Sequence, residues 1–424
     1  MGLNTSFFSW ILAKCDVILT FAVEIDCFKD MKKQKITDRV YYVGVNDRTT
    51  TRFEGLWPLP KGVSYNSYVV KGSRHIAIVE GVEASFVSRQ IESIKAVCDG
   101  KSPDFLIVNH MEPDHSGAIR MLMLEFPQMV IVGNAKTLEM LEGYYGINDH
   151  VLSVADGDTL SLGDCTLKFS LTPMVHWPET MMTHLIEDAV LFSGDAFGCF
   201  GALNGGIIDS EMLTDGFFPE MTRYYSNIVG KYGKPVQKAL EKYADTKIDF
   251  ICSTHGPVWH DRVADVVEAY DRMSRYEAKE GVTIVYGSMY GHTEVLAEKM
   301  ARALTLKGVK DIRMHNLSYS DISDVLRDVF DVKGLVIATP TYNGALFPKV
   351  EAFLQAVASR GLEKRVVARL GESTWAGVGT RKIDEYLAKM KLTVVSDAIE
   401  VKQNRMADID ETLDAIAADL VAAM

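Results

Sequence analysis

The apolar run Phe105-Leu106-Ile107-Val108 gives way at once to Asn109-His110-Met111-Glu112-Pro113-Asp114-His115-Ser116-Gly117. A short continuous apolar run bounded by polar residues reads as a buried strand. In α/β sheets, chemistry collects just beyond the carboxyl ends of such strands. His110, Glu112, Asp114 and His115 therefore put four possible metal ligands, within six positions, at one strand end. Imidazole with carboxylate suits borderline first-row metals, and a cluster without thiolate argues against Cu(I) or an iron–sulfur centre. Three more ligands obey the same rule. His176 follows the alternating segment Leu167–Leu171, Asp195 closes the run that begins Val190-Leu191-Phe192, and His255 follows Phe250-Ile251-Cys252. A lone histidine in such a place is commonly a hydrogen-bonded structural residue. Three strand-end ligands added to the His-x-Glu-x-Asp-His cluster predict a metal site.

The remainder of the chain sets the frame. At 424 residues it is long enough for two or three domains. A composition of 47% hydrophobic and 24% charged residues is that of a globular protein and excludes collagen-like, disordered and multispan membrane classes. Lys and Arg number 45 against 57 Asp and Glu, for a net charge of −12, so no basic stripe points to nucleic acid. The six cysteines, at positions 15, 27, 98, 165, 199 and 252, include no CxxC pair. They read as reduced thiols of a cytoplasmic protein and contain no rubredoxin-like pattern. Lys14 and Asp16 interrupt the apolar N-terminal stretch well short of the roughly 20 residues a spanning helix needs. Residues 1–30 read as a nonessential extension, with a fresh start at Met31.

From residue 31 to 280 short β-rich runs alternate with helices, as at Val40-Tyr41-Tyr42-Val43, His75–Val79 and Met129–Val132. Residues 262–280 carry a charged helical pattern, after which the chain turns to clean strand–helix alternation. Over 281–424 buried strands are expected at Val282–Tyr286, Leu335–Ala338 and Val366–Leu370. Helix faces are expected at Leu296, Met300, Ala303 and Leu304 and at Ile409, Leu413, Ile416 and Leu420. This order suits a doubly wound parallel sheet.

Each of these three strands is followed by a loop with binding chemistry. Ser288, Met289, Tyr290, Gly291, His292 and Thr293 follow the first and open a helix, where hydroxyls and backbone N–H groups bind a phosphate dianion. The loop is neither a Walker loop nor a Gly-x-Gly-x-x-Gly fingerprint, and taken alone a plain helix cap explains it equally well. Pro340, Thr341, Tyr342, Asn343 and Gly344 follow the second strand, and Ser373, Thr374, Trp375 and Ala376 the third. Phosphate-binding, aromatic and polar loops at three strand ends resemble flavodoxin, which implies FMN. In that resemblance Thr341, Tyr342, Asn343 and Trp375 border the isoalloxazine ring, with Trp375 or Tyr342 stacking on it; a core role is the alternative for Trp375.

The metal cluster resembles the metallo-β-lactamase-like αββα sandwich. Hydrolases of that fold more often have His at the second ligand position and bind zinc, whereas this chain has Glu112 there. Together with Pro113, Ser116-Gly117, His176-Trp177-Pro178, Ser193-Gly194-Asp195-Ala196-Phe197-Gly198 and His255-Gly256-Pro257-Val258-Trp259, it resembles the A-type flavodiiron proteins from Met31 to the C-terminus. Charge counting agrees: three carboxylates and a bridging hydroxide neutralise two Fe(II). The resemblance implies one iron held by His110, Glu112 and His176, the other by Asp114, His115 and His255, and Asp195 bridging. His115 is not always a direct ligand in that family. Trp177 and Trp259 become candidate pocket walls.

What the resemblance implies is reduction of O₂ to water, of NO to N₂O, or of both. Electrons would arrive through FMN from an external donor, a rubredoxin-like protein or a flavin reductase, in a head-to-tail homodimer or a dimer of such dimers. A zinc-dependent hydrolase of the same fold and an electron carrier with an inactive metal domain are the alternatives. Glu112 and the flavin module oppose the first, and the intact ligand set opposes the second.

Overall fold

The computed structural model describes residues 33–403, 405–407 and 409–424, so the expectation for residues 1–30 lies outside the described residues. The chain forms two compact units. One runs up to Asn46 and takes in Tyr65–Leu171 and Met181–Phe192; the other comprises Asp47–Ser64, Thr172–Thr180 and Ser193–Met424.

The first unit is built on a seven-stranded sheet in the order Gln34–Lys35, Val40–Tyr42, Tyr68–Lys71, Ile76–Val79, Phe105–Ile107, Val130–Gly133, Val151–Ser153. Phe105–Ile107 is parallel to both of its neighbours, Ile76–Val79 and Val130–Gly133. A strand paired on both edges in a parallel array is covered on both faces, so its sequence reads as an unbroken apolar run. Leu106 and Ile107 are fully buried. A second, five-stranded sheet begins as an antiparallel meander of Thr159–Ser161, Thr166–Leu171, Met181–Leu185 and Val190–Gly194, with Phe250–Ser253 as its last strand. Every expected strand in this half of the chain forms to within a residue or two. Sequence periodicity did not reveal the two-stranded pairs Val45–Asp47 with Val63–Tyr65 and Arg52–Phe53 with Trp57–Pro58.

In the second unit a parallel sheet has the spatial order Ile312–Asn316, Lys279–Tyr286, Val332–Tyr342, Glu363–Ser373, Lys391–Val394, and Ile399–Lys402 also pairs with Glu363–Ser373. Counted along the chain this is 2-1-3-4-5, the flavodoxin-like doubly wound order. The charged stretch 262–280 forms the helix Val263–Ser274, and its last residues already belong to the strand that starts at Lys279. Leu296, Met300, Ala303 and Leu304 lie buried against one face of the sheet with Ile409, Leu413, Ile416 and Leu420, as their spacing predicted.

Arg365, on the strand Glu363–Ser373, is 1% exposed. Its guanidinium donates to the backbone oxygens of Val329 at 2.8 Å, Tyr276 at 2.7 Å and Phe330. Burial pushes its pKa down to about 10. The bond to Tyr276 ties the strand to the segment that leads out of the helix Val263–Ser274. Among the described residues no helix is long and apolar enough to cross a membrane.

Candidate metal centre and flavin loops

All seven expected ligands come together in two groups. His110, Glu112, His176 and Asp195 form one; Asp114, His115 and His255 form the other. Within each group one ligand atom per residue lies within 4.8 Å of the rest.

The loop after Phe105–Ile107 is held from its first residue. Asn109 N–H donates to Glu80 Oε1 at 2.9 Å, Asn109 Oδ1 accepts from Thr183 Oγ1 at 2.7 Å, and the Asn109 carbonyl accepts from Met181 N–H at 3.0 Å. Pro113 then opens the one-turn helix Pro113–Ser116, its missing N–H falling where helices leave a donor unused anyway. Ser116 Oγ closes the loop by donating to the Met111 carbonyl at 2.7 Å. His110 Nε2 and Glu112 Oε2 are left 3.2 Å apart, and His115 Nε2 and Asp114 Oδ2 3.4 Å apart.

Asp195 is 2% exposed and stands just past Val190–Gly194. Its two oxygens diverge: Oδ2 lies 3.0 Å from His176 Nε2, and Oδ1 lies 3.5 Å from His255 Nε2 while accepting from Thr254 Oγ1 at 2.5 Å. The His255 ring is set by its far nitrogen, because Nδ1 is 2.8 Å from the Ser64 carbonyl oxygen. A carbonyl can only accept, so Nδ1 carries the proton and Nε2 offers its lone pair.

The donor set fits a pair of metal ions. Two donors about 2.1 Å from one metal and at right angles to each other lie about 3 Å apart, and the imidazole–carboxylate contacts here run from 3.0 to 3.5 Å. Glu112 and Asp195 are buried carboxylates. Burying such charges costs several kcal/mol each unless cations or coordination compensate, and two divalent ions beside four imidazoles do so.

Aromatic rings line this region. Phe53 and Tyr224 pack on the His255 ring at 5.4 and 5.5 Å between centroids, and Phe200 packs on both at 5.5 and 5.1 Å. Trp177 stands edge-on to His176 at 6.3 Å. Trp259 is fully buried, donates to the Phe197 carbonyl at 3.0 Å and packs on Phe218. Sequence reasoning missed Glu80, Ser64 and Thr254, each of which holds a ligand or the loop that carries one.

The three loops of the second unit share one edge of its sheet. Gly287 N–H donates to the Ala338 carbonyl at 3.1 Å, and Thr339 and Pro340 lie in register with Gly371 and Glu372. Gly291 takes φ +90°, a conformation that side chains resist, and caps the 15-residue helix His292–Leu306; its N–H is held by Ser288 Oγ at 3.1 Å. Thr341 Oγ1 accepts from Val378 N–H at 3.0 Å, joining the second loop to the third. Asn343 and Gly344 both have positive φ and turn the chain into Ala345–Leu346. Met289, Tyr290, Tyr342 and Trp375 are exposed, the last at 81%. A helix N-terminus for phosphate beside an exposed aromatic surface suits a flat phosphorylated cofactor such as FMN.

Comparison with known proteins agrees with this architecture. Residues 63–256 match the ODP family beta lactamase model, and residues 284–415 match the flavodoxin model. An uncharacterized protein of Methanocaldococcus jannaschii is 33% identical over 365 residues, covering 86% of this chain and 91% of that protein. The anaerobic nitric oxide reductase flavorubredoxin of Escherichia coli is 29% identical, covering 81% and 72%. Among solved structures, rubredoxin oxygen:oxidoreductase from Desulfovibrio gigas superposes with a TM-score of 0.88 at 26% identity, covering 92% of this chain and 98% of that one. The flavodiiron protein from Giardia intestinalis also gives 0.88, at 28% identity, covering 93% and 98%. A β-lactamase-like metal fold followed by a flavodoxin fold, with this ligand set, defines a class of oxidoreductases. The chain belongs to the flavodiiron protein family.

Proposed function

We propose that this chain reduces O₂ to water, NO to N₂O, or both, at a non-haem diiron site fed through FMN. The observation that carries the reading is Asp195, whose two oxygens face a histidine of each ligand group. We assign His110, Glu112 and His176 to one iron and Asp114, His115 and His255 to the other, with Asp195 between them. The metal domain is residues 31–280 and the flavin domain residues 281–424. FMN is held by Ser288–Thr293, Pro340–Gly344 and Ser373–Ala376.

When bound, the iron pair and the flavin each supply two electrons, which together match the four needed to take O₂ to two waters. The protein's own groups hold that chemistry in place. The Ser64 carbonyl keeps the proton on His255 Nδ1, and the Thr254 hydroxyl donates to the Asp195 oxygen that faces His255. Phe53, Phe200 and Tyr224 give His255 an apolar surround that excludes water and suits small neutral gases. Trp177, edge-on to His176, is assigned to the pocket wall; Trp259 is assigned to support the wall through Phe197.

The donor is an external protein of rubredoxin type or a flavin reductase, and the working unit is a head-to-tail dimer or a dimer of such dimers. A cytoplasmic location accords with four buried free thiols, Cys98, Cys165, Cys199 and Cys252. Metal and flavin analysis tests the reading together with gas-electrode turnover on O₂ and NO under one artificial donor. About two irons and one FMN per chain with turnover support it. Zinc with hydrolytic activity, or flavin without metal, would overturn it.

A further inference from the structure

Glu400 lies on Ile399–Lys402, the strand paired with the end of Glu363–Ser373. Both of its carboxylate oxygens are shut off from solvent. The group sits among three glycines of the third loop and its borders. A Cβ on Gly371 would lie 2.2 to 2.4 Å from its oxygens and carboxyl carbon, one on Gly377 3.0 Å from that carbon, and one on Gly379 3.4 Å from Oε1. No side chain could replace hydrogen at Gly371 without expelling the carboxylate. The helix Gly379–Leu387 starts there, and its N-cap residue Val378 supplies no side-chain cap. Glu400 instead lies beside the N–H groups of Gly379 and Thr380, which favour its charged form. A carboxylate at a helix N-terminus is favoured by the unpaired N–H groups and the helix dipole.

The loop enclosed by these contacts carries Ser373, Thr374, Trp375 and Ala376. It is fastened at its other side by Gln403 N–H donating to the Ser373 carbonyl at 2.8 Å and by Val378 N–H donating to Thr341. Burial pushes the Glu400 carboxyl up from its ordinary value, so the cost of its desolvation outweighs what the Gly379 and Thr380 N–H groups give back. A glycine-lined seat for a costly charge, directly beneath a ligand loop, indicates a role beyond packing.

We propose that Glu400 is a positioning residue for the FMN site: its carboxylate holds the third loop in its binding shape and sets a fixed negative charge behind it. This rests on the assignment of FMN to the second unit. An ionised carboxyl behind the loop opposes the addition of electrons to a flavin held there.

The test uses the full-length protein stripped of flavin and titrated with FMN, followed by measurement of the midpoint potential of the bound flavin. Glu400→Ala should weaken FMN binding by about tenfold or more, as loss of an ordering contact worth about 1.4 kcal/mol would. Glu400→Gln keeps the shape and an acceptor oxygen, so it should bind FMN within a few-fold of the unaltered protein. Its bound flavin should nevertheless be easier to reduce, with an equilibrium constant for reduction raised at least about threefold by loss of the charge. Its melting temperature should hold or rise, because the desolvated charge is gone, whereas a purely structural residue would lower it. Unchanged FMN affinity in Glu400→Ala, or an unchanged potential in Glu400→Gln, overturns the proposal. Failure of the unaltered protein to bind FMN would instead remove the FMN assignment itself, a result read before any variant is made. Should Glu400→Ala not fold, the potential of the isosteric Glu400→Gln still decides.

Discussion

His255 turns its Nδ1 to the backbone carbonyl oxygen of Ser64 at 2.8 Å, and the same serine's Oγ accepts from Gly256 N–H at 2.8 Å. One residue of the short strand Val63–Tyr65 therefore fixes both the tautomer of a ligand and the chain that follows it. Ser64→Ala keeps the carbonyl but removes the hydroxyl that accepts from Gly256 N–H. Partners of this kind are worth about ten- to hundredfold in metal affinity. We expect one of the two irons to be lost to a chelator about tenfold more readily, with FMN content unchanged. Chelator competition followed by iron colorimetry measures it.

Asp195→Asn keeps the size and one acceptor oxygen but removes the charge that both histidine groups face. Gas reduction should fall to background and iron content below two per chain. Flavin should stay bound, since the three flavin loops lie elsewhere in the chain. Retained O₂ consumption by that variant would remove Asp195 from the site.

Gly256 has φ +77°, and a Cβ there would lie 2.2 Å from Cys199 Sγ. Gly256→Ala therefore meets both backbone strain and a clash in a buried site. About 3 kcal/mol of lost stability is expected, at the upper end for a single substitution. Adding Cys199→Ala should recover the clash but not the backbone cost. Urea unfolding of the single and double variants separates the two.

Asp328 is set for a pH response. Burial alone would raise its pKa, but the hydrogen bonds from His315 and Arg327 and the charges of Arg327 and Arg313 outweigh it and hold the carboxyl well below the usual range. His315 Nε2 lies 2.8 Å from Oδ2, and Arg327 Nε 2.8 Å from Oδ1. Asp331, held by Lys279 and Arg313 against the same burial cost, is shifted in the same direction. A depressed acid contributes stability that is present above its unfolded pKa of about 4 and is lost as pH falls through the folded value. The melting temperature should therefore drop steeply below about pH 4. Asp328→Asn should melt lower at pH 7 and show a flatter acid limb in a calorimetric pH series.

Much of this was legible along the chain because both cofactor regions obey a local rule. Candidate ligands such as His110 and Asp195, and candidate flavin loops such as Ser288–Thr293, stand next to the apolar runs that deliver them. The doubly wound parallel sheet over 281–424 followed from strand–helix alternation, while its strand order came from the structure. What stayed hidden reaches in from far along the chain. Glu80 meets Asn109, Ser64 meets His255, and Glu400 meets Gly371, and no periodicity links the members of such pairs. The strands around Val45 and Trp57 escaped notice because two- and three-residue pairings leave too short a pattern to detect.

The guanidinium of Arg365 has a practical bearing on how the flavin half can be isolated. A fragment beginning at Gly281 would omit the Tyr276 oxygen, the shortest contact of Arg365 Nη1 at 2.7 Å, and leave that nitrogen only the longer contacts to the Glu363 and Lys364 carbonyls at 3.1 and 3.4 Å. The smallest piece that folds as it does in the whole protein should start ahead of Tyr276, a few residues upstream of where the amino-acid pattern changes.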